Sequence, residues 1–244
     1  MKTLVIIPSR LSATRLPGKP LLKIKGLSII SHVVKKAEEA NIGEVFVATE
    51  DKEIIDDVQK NGGKAILTSN NHKTGTDRIY EAYKKIGGSN IDLIMNLQGD
   101  EPLMNPEDIK NLHYQMIKYK AELGTLASKI LNKNLYHNTN VVKVITKESL
   151  ENLKFPEAIN FTRKSDSSKK NIYHHLGIYC YKLDTLKNFV SYEQSMNEIK
   201  NKLEQLRAID NNIKINVSLA KAAPRGVDTE EDFVAIKKIM EYKS

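Results

Sequence analysis

Along the first half of the chain, short continuous apolar runs alternate with stretches whose apolar positions recur every three or four residues. Leu4 to Ile7 reads as a buried parallel strand ended by Pro8. Ser28 then caps a helix with Ile29, Ile30, Val33, Val34, Ala37 and Ala40 on one face and Lys35, Lys36, Glu38 and Glu39 on the other. Val45 to Thr49 is a second strand, Asp51 to Lys60 a second helix, and Lys64 to Thr68 a third strand after Gly62 and Gly63. A polar loop from Ser69 to Arg78 leads to a helix over Ile79–Ile86 and a fourth strand over Asp92–Leu97. Asn105, Pro106, Glu107 and Asp108 give a helix start, with a capping residue, proline at the first position and acids in the first turn. Strands and helices joined in this alternating order predict a parallel sheet wrapped by helices.

The second half is less regular. Strands are predicted over Leu123–Ile130, Val141–Thr146, Ala158–Thr162, Ile172–Tyr181 and Ile213–Leu219, with helices near Met196–Asp210 and over Glu230–Tyr242. No internal repeat and no Pro/Gly/Ser-rich linker divides the chain, so one α/β domain is expected.

Composition narrows the field without naming a chemistry. The 244 residues are 40% hydrophobic, enough for a sizeable core. Against 30 acidic residues stand 38 basic ones, a net charge of +8. Such a balance suits nucleic acid, an anionic membrane surface or small anionic substrates, but the lysines are spread along the whole chain and no basic segment interleaves with aromatics, which disfavours a nucleic-acid groove and reads as compositional bias. Cys180 is the only cysteine, excluding an internal disulfide and a cysteine-rich zinc site. No apolar run is long enough for a membrane span, and a cytoplasmic location is expected.

The candidate chemistry lies in the loops. Arg10, Arg15 and Lys19 sit on a segment stiffened by Pro17, Gly18 and Pro20. Guanidinium forks and an ammonium suit a polyphosphate, although the Walker spacing is absent and a solvated basic loop is the rival reading. In open α/β sheets ligands bind outside the carboxyl ends of strands. The loops after the first, third and fourth strands, carrying Arg10, Thr74 to Arg78 and Asp100, therefore line one edge. Asp100 and Asp228 each follow a strand and precede a helix; together they could hold Mg²⁺, or each could only favour the positive end of the next helix. His175 has no partner at metal-binding spacing and reads as a hydrogen-bonded core residue, Cys180 as a small core residue. Glu204, Gln205 and Arg207 fit the solvated face of an amphipathic helix. By themselves the residues reach a Mg²⁺-assisted phosphate-handling enzyme.

Seven motifs in order carry more. They are Ile7-Pro8-Ser9-Arg10 with Thr14 to Leu21; His72 with Thr74-Gly75-Thr76-Asp77-Arg78; Asn96 to Pro102; Val141 to Val144; His175 to Tyr179; Leu203 to Arg207; and Gly226 to Thr229. With them the chain resembles the 3-deoxy-manno-octulosonate cytidylyltransferases, or CMP-Kdo synthetases. The resemblance implies a nucleotide-diphospho-sugar transferase (Rossmann-like) fold, with a nucleotide part near 1–120 and a sugar and dimer part near 121–230, and a homodimer. It implies CMP transfer from CTP to a 3-deoxy-2-ulosonic acid, Kdo, for lipopolysaccharide biosynthesis. Arg10, Arg15 and Lys19 would then hold the triphosphate, with Asp100 beside them in the catalytic set. Pro8, Ser9, Gln98 and the Thr74, Gly75, Thr76 and Arg78 segment would surround the nucleotide. Asp100 and Asp228 would carry Mg²⁺. Arg163, His175, Tyr179, Glu204, Gln205 and Gln98 match positions that contact the sugar acid, Arg163 as partner of its carboxylate. An amino-substituted relative of Kdo or a nonulosonic acid is the alternative acceptor. A basic nucleic-acid-binding protein is the alternative from another class.

Overall fold

The computed structural model describes residues 1–12, 15–88, 90–165 and 170–242. Thr14 of the first motif, and Asp166 to Lys169 of the loop after Arg163, lie outside the described residues. The chain falls into two compact units, one of residues 2–110 and 224–244, the other of residues 111–223 with Met1. The fold is α/β, the class expected from the alternating pattern.

The first unit opens with β1 (Thr3–Ser9), a small hairpin of β2 (Lys23–Ile24) and β3 (Leu27–Ser28), and helix α1 (Ile29–Glu39). It continues through β4 (Glu44–Thr49), α2 (Lys52–Lys60), β5 (Ala65–Leu67), α3 (Gly75–Ile86) and β6 (Leu93–Asn96). The β6–β1, β1–β4 and β4–β5 pairs are parallel, giving the order β6-β1-β4-β5 within this unit. Val5, Ile6, Ile7, Val47, Ile94 and Met95 are buried, as strands covered on both faces must be. The chain builds outward from β1 on one side and then returns to its other side as β6. The carboxyl ends of β1 and β6 therefore flank a topological switch point, where such sheets open a crevice.

Helix α3 begins four residues before the expected Ile79. Thr74 and Asp77 form a capping box: the Thr74 hydroxyl accepts from the Asp77 amide at 3.2 Å, and the Asp77 carboxylate accepts from the Thr74 amide at 3.2 Å. The segment read as polar loop is thus a helix start in which residues 75–78 make the first turn. Ser28 caps α1 as anticipated, its hydroxyl accepting from the Ser31 amide.

Helix α4 (Pro106–Tyr119) carries the boundary between the units. In the second unit follow β7 (Leu123–Ser128), β8 (Lys143–Thr146), β9 (Ala158–Thr162) and β10 (Ile172–Lys182). Next come α5 (Leu183–Ser191), which the periodicity did not reveal, then α6 (Met196–Asn201), α7 (Leu206–Asp210) and β11 (Ile215–Leu219). Strand β11 runs parallel to β7, while the β10–β7, β10–β8 and β8–β9 pairs are antiparallel. The single helix expected over 196–210 is two short ones, because Lys202 takes a left-handed φ of 52°. Gln205 is buried and Glu204 half-buried on the turn between them, so neither belongs to a solvated helix face.

The chain returns to the first unit and ends in α8 (Glu230–Tyr242). A satellite core there joins Ile24, Ile29, Val227 and Ile236 with Leu16, Leu22 and Phe233. Ile236 is fully buried in it. Ile236→Ala is expected to lower unfolding free energy by about 2–5 kcal/mol. Urea denaturation checks this against the exposed-site control Lys238→Ala.

Candidate active site

The basic segment after β1 is shaped by Gly18, whose φ of 70° suits glycine. Its amide donates to the Leu11 carbonyl at 3.2 Å, and a single helical turn over Lys19–Leu21 follows with Pro20 buried. Lys19 is thereby aimed at two carboxylates. Its ammonium donates to Asp100 Oδ2 at 2.6 Å and lies 3.4 Å from Asp228 Oδ1, which also pairs with Arg15 at 3.0 Å.

Both aspartates are placed by backbone packing. Gly99, just before Asp100, passes so close to β1 that a Cβ would stand 2.9 Å from the Pro8 carbonyl oxygen, so a side chain there would push the loop away. Val227, just before Asp228, is buried in the satellite core and its amide donates to the Asp100 carbonyl at 2.9 Å. The same apolar cluster contains Leu16 and Leu22 from either side of Lys19. Hydrophobic burial of Val227 thus delivers Asp228 to the basic segment.

These groups border a cleft of about 360 Å³. Pro8, Ser9, Arg10, Arg15 and Lys19 line it from the β1 side, Thr74, Gly75 and Arg78 from α3, Gln98 and Asp100 from the β6 side, and Asp228 from the segment before α8. Of the residues expected around a nucleotide, Thr76 alone does not line it, because it points into the protein and is buried. Arg78 lines the cleft with its guanidinium already engaged, donating to Thr68 Oγ1 at 2.7 Å and pairing with Glu50. The Ser9 hydroxyl is buried with no hydrogen-bond partner among the described residues. The positive end of α3 faces the same space, which suits an anion.

The donor set fits a hard divalent cation. Two carboxylates from separate loops already converge on one ammonium, and Mg²⁺ binds through one or two carboxylates together with waters and phosphate oxygens. Among the described residues no cluster of three or more His, Cys, Asp or Glu side chains forms a self-sufficient metal site, so a metal held by Asp100 and Asp228 would need phosphate and water to complete its shell.

Glu101 belongs to the Asn96–Pro102 motif without a role of its own in the sequence. Its Oε2 is buried without a hydrogen-bond partner among the described residues, and its pKa is pushed up to about 8, first by burial and then by the charges of Asp100 and Asp228. His72, Lys73 and Ser12 also line the cleft. His72 bonds Glu81, which additionally accepts from the Ser69 amide at 3.0 Å and pairs with Lys85. Those donors overcome the cost of burial and hold Glu81 down at about 2. His72 and Glu101 fall within motifs of the sequence, whereas Lys73 and Ser12 carry no signal there beyond a position after a strand.

Of the residues expected to contact a sugar acid, Gln98 lines this cleft and the others lie in the 111–223 unit. His175 is packed edge-on against Phe161, centroids 5.0 Å apart, and beside Tyr179 at 5.5 Å, with Nε2 3.0 Å from Thr125 Oγ1. Burial lowers its pKa to about 3, so the imidazole is neutral. Tyr179 has its phenol pKa raised by burial, with smaller contributions from Tyr181 and the charge of Glu204. A bulge between Leu176 and Tyr179 is stitched by the Thr125 hydroxyl, which donates to the Ile178 carbonyl at 2.7 Å. Arg163 donates to the Thr139, Asn201 and Lys202 carbonyls at 3.1, 3.1 and 2.9 Å. Its guanidinium therefore straps the turn that precedes Glu204 and Gln205, a task in addition to the carboxylate partnership expected of it. Cys180 is fully buried, and its thiol pKa is raised by desolvation, as a core residue requires.

A parallel sheet whose switch-point cleft combines a basic strap, a helix start and two converging carboxylates defines a nucleotidyltransferase-like site. The cytidylyltransferase family pattern matches residues 4–215. The chain is 41% identical over 246 residues to a 3-deoxy-manno-octulosonate cytidylyltransferase of Rhodopseudomonas palustris (strain BisB18), covering 99% of this chain and 98% of that protein. It is 42% identical over 251 residues to the enzyme of that name from Thermodesulfovibrio yellowstonii, covering 98% of each. A solved structure of CMP:2-keto-3-deoxy-manno-octonic acid synthetase complexed with CTP superposes with a TM-score of 0.90 at 35% identity, over the whole of both chains. The chain belongs to the cytidylyltransferase family, among its 3-deoxy-manno-octulosonate cytidylyltransferases.

Glu101 generates a pH dependence. Its folded pKa lies above the unfolded value, so between about 4.5 and about 8 the folded state holds a proton that the unfolded state has lost. Stability contributed by this group is present below the unfolded pKa and lost as pH rises through that window. In chelator-treated protein, Glu101→Gln should melt higher than the parent at pH 8 and show a flatter pH profile, as thermal melts at stepped pH would record.

Proposed function

We propose that the chain is an enzyme that transfers CMP from CTP to the anomeric hydroxyl of 3-deoxy-D-manno-octulosonate, releasing pyrophosphate and giving CMP-Kdo. The cleft in which Lys19 faces Asp100 and Asp228 carries this reading, together with family membership along the whole chain. The anomeric oxygen attacks the α-phosphorus in line; the new oxygen–phosphorus bond forms as the bond to the β-phosphate oxygen breaks. Arg10, Arg15 and Lys19 neutralise the oxygens of the departing pyrophosphate. Before CTP enters, Lys19 is the counter-charge of Asp100 and Asp228; with CTP bound, its ammonium passes to the phosphates and frees the carboxylates. When bound by those carboxylates, Mg²⁺ would supply charge neutralisation at phosphate and lower the pKa of the attacking hydroxyl. Pro8, Ser9, Gln98 and the start of α3 hold base and ribose. His175, Tyr179, Glu204 and Gln205 select the sugar acid, the neutral imidazole as a polar contact and not as a cation.

A homodimer draws support from the exposed apolar side chains Leu131, Ile159, Met196 and Ile199 in the 111–223 unit. No described helix is long and apolar enough to cross a membrane. A cytoplasmic enzyme supplying CMP-Kdo for lipopolysaccharide assembly agrees with this.

Pyrophosphate release is expected to require CTP, Kdo and Mg²⁺ together, and to fall below detection when any one is omitted. Asp100→Ala should abolish turnover with the melting temperature held, because the change removes a charge from a loop and not from the core. Turnover with a nonulosonic acid in place of Kdo, or ordinary activity in Asp100→Ala, would contradict the acceptor or the metal role respectively.

A further inference from the structure

The loop after β4 was the one loop at this sheet edge to which the sequence assigned no chemistry, and it carries two adjacent carboxylates, Glu50 and Asp51. Asp51 stands at the N-cap of α2, where an aspartate ordinarily accepts from its own helix amides. Here its side chain makes no cap bond. Instead Asp51 Oδ2 accepts from the Leu11 amide at 2.7 Å, reaching 40 residues back along the chain. Leu11 lies between Arg10 and Ser12, both of which line the cleft. Glu50 turns the other way and pairs with the Arg78 guanidinium, which also donates to Thr68 Oγ1 at 2.7 Å and to the Ser69 carbonyl at 3.3 Å. Arg78 belongs to the first turn of α3, beside Thr74 and Gly75 in the opposite wall. The turn itself is ordered by the Asp51 amide donating to Thr49 Oγ1 at 3.1 Å, and β4 is hydrogen-bonded on both edges, to β1 and β5. Neither carboxylate lines the cleft.

We propose that Glu50 and Asp51 are a two-armed brace for the nucleotide cleft, Asp51 setting the wall that grips the triphosphate and Glu50 the wall that receives base and ribose. Both are positioning residues. They act through the Leu11 amide and the Arg78 guanidinium from a strand that cannot shift without breaking two ladders. Charge-assisted acceptors are suited to this, because a buried donor left without one loses its desolvation compensation. The brace rests on the assignment of this cleft to CTP.

The two arms predict opposite ligand selectivities, which general loosening of the fold would not give. Binding of CTP, CMP and inorganic pyrophosphate to the full chain, with Mg²⁺ present, is measured by calorimetry for each variant alongside its thermal melt. Asp51→Ala should weaken pyrophosphate and CTP by about 10-fold, the loss of one charged hydrogen bond, and leave CMP nearly unchanged. Asp51→Asn, which keeps an acceptor oxygen for the Leu11 amide, should restore most of the affinity. Glu50→Ala should weaken CMP and CTP by a common factor and spare pyrophosphate. Where Glu50→Ala does not fold, the milder Glu50→Gln should show the same selectivity at smaller size. Equal weakening of all three ligands by either variant, or no weakening, overturns the brace. Lys19→Ala tests the underlying assignment separately. Loss of pyrophosphate affinity in that variant, with wild-type binding in the brace variants, rejects the brace alone; retained pyrophosphate affinity rejects the cleft assignment and the brace with it.

Discussion

The ammonium of Lys19 between Asp100 and Asp228 is the interaction around which this molecule is arranged. Two carboxylates brought together without a cation would repel each other, and Glu101 beside them has a pKa raised first by burial of its carboxyl and then by that field. Lys19 removes the conflict, and Arg15 adds a second positive charge on Asp228. The same pairing stores opposite charges at one place; under the proposed function, a polyanionic nucleotide and a cation would exchange partners with the protein there and leave no charge uncompensated.

The chain invests apolar burial and backbone geometry in that meeting point. Gly99 lets the Asp100 loop touch β1, and Val227 fills the satellite core shared with Leu16 and Leu22, which flank Lys19. The parallel strands contribute their carboxyl ends, and the capping box at Thr74 turns a polar stretch into a helix whose first turn faces the cleft. A rigid sheet edge therefore presents charges that would not assemble on a flexible loop.

The first half of the fold was legible because its strands are short pure apolar runs and its helices keep a clean apolar stripe. The start of α3 is not legible because Thr74-x-x-Asp77 is a capping box inside a string of polar residues. The helix expected over 196–210 broke at Lys202, where no glycine announces the left-handed turn. Arg10, Arg15, Lys19, Asp100 and Asp228 could be named from the sequence, since charges next to strand ends are conspicuous. Glu101, Glu50 and Asp51 could not, because what distinguishes them is burial and a partner far along the chain. His175 illustrates the reverse: its pairing with Thr125 and its ring neighbours make it a neutral packed imidazole, and only the family resemblance gives it a ligand.

The central claim, that Lys19 exchanges its carboxylates for phosphate when CTP arrives, is most directly tested by a crystal structure of the protein with CTP and Mn²⁺ in place of Mg²⁺. Anomalous scattering is expected to place the metal between Asp100 and Asp228, with the Lys19 ammonium moved onto the terminal phosphate oxygens. A Lys19 still bonded to Asp100, with the metal held elsewhere, would contradict it.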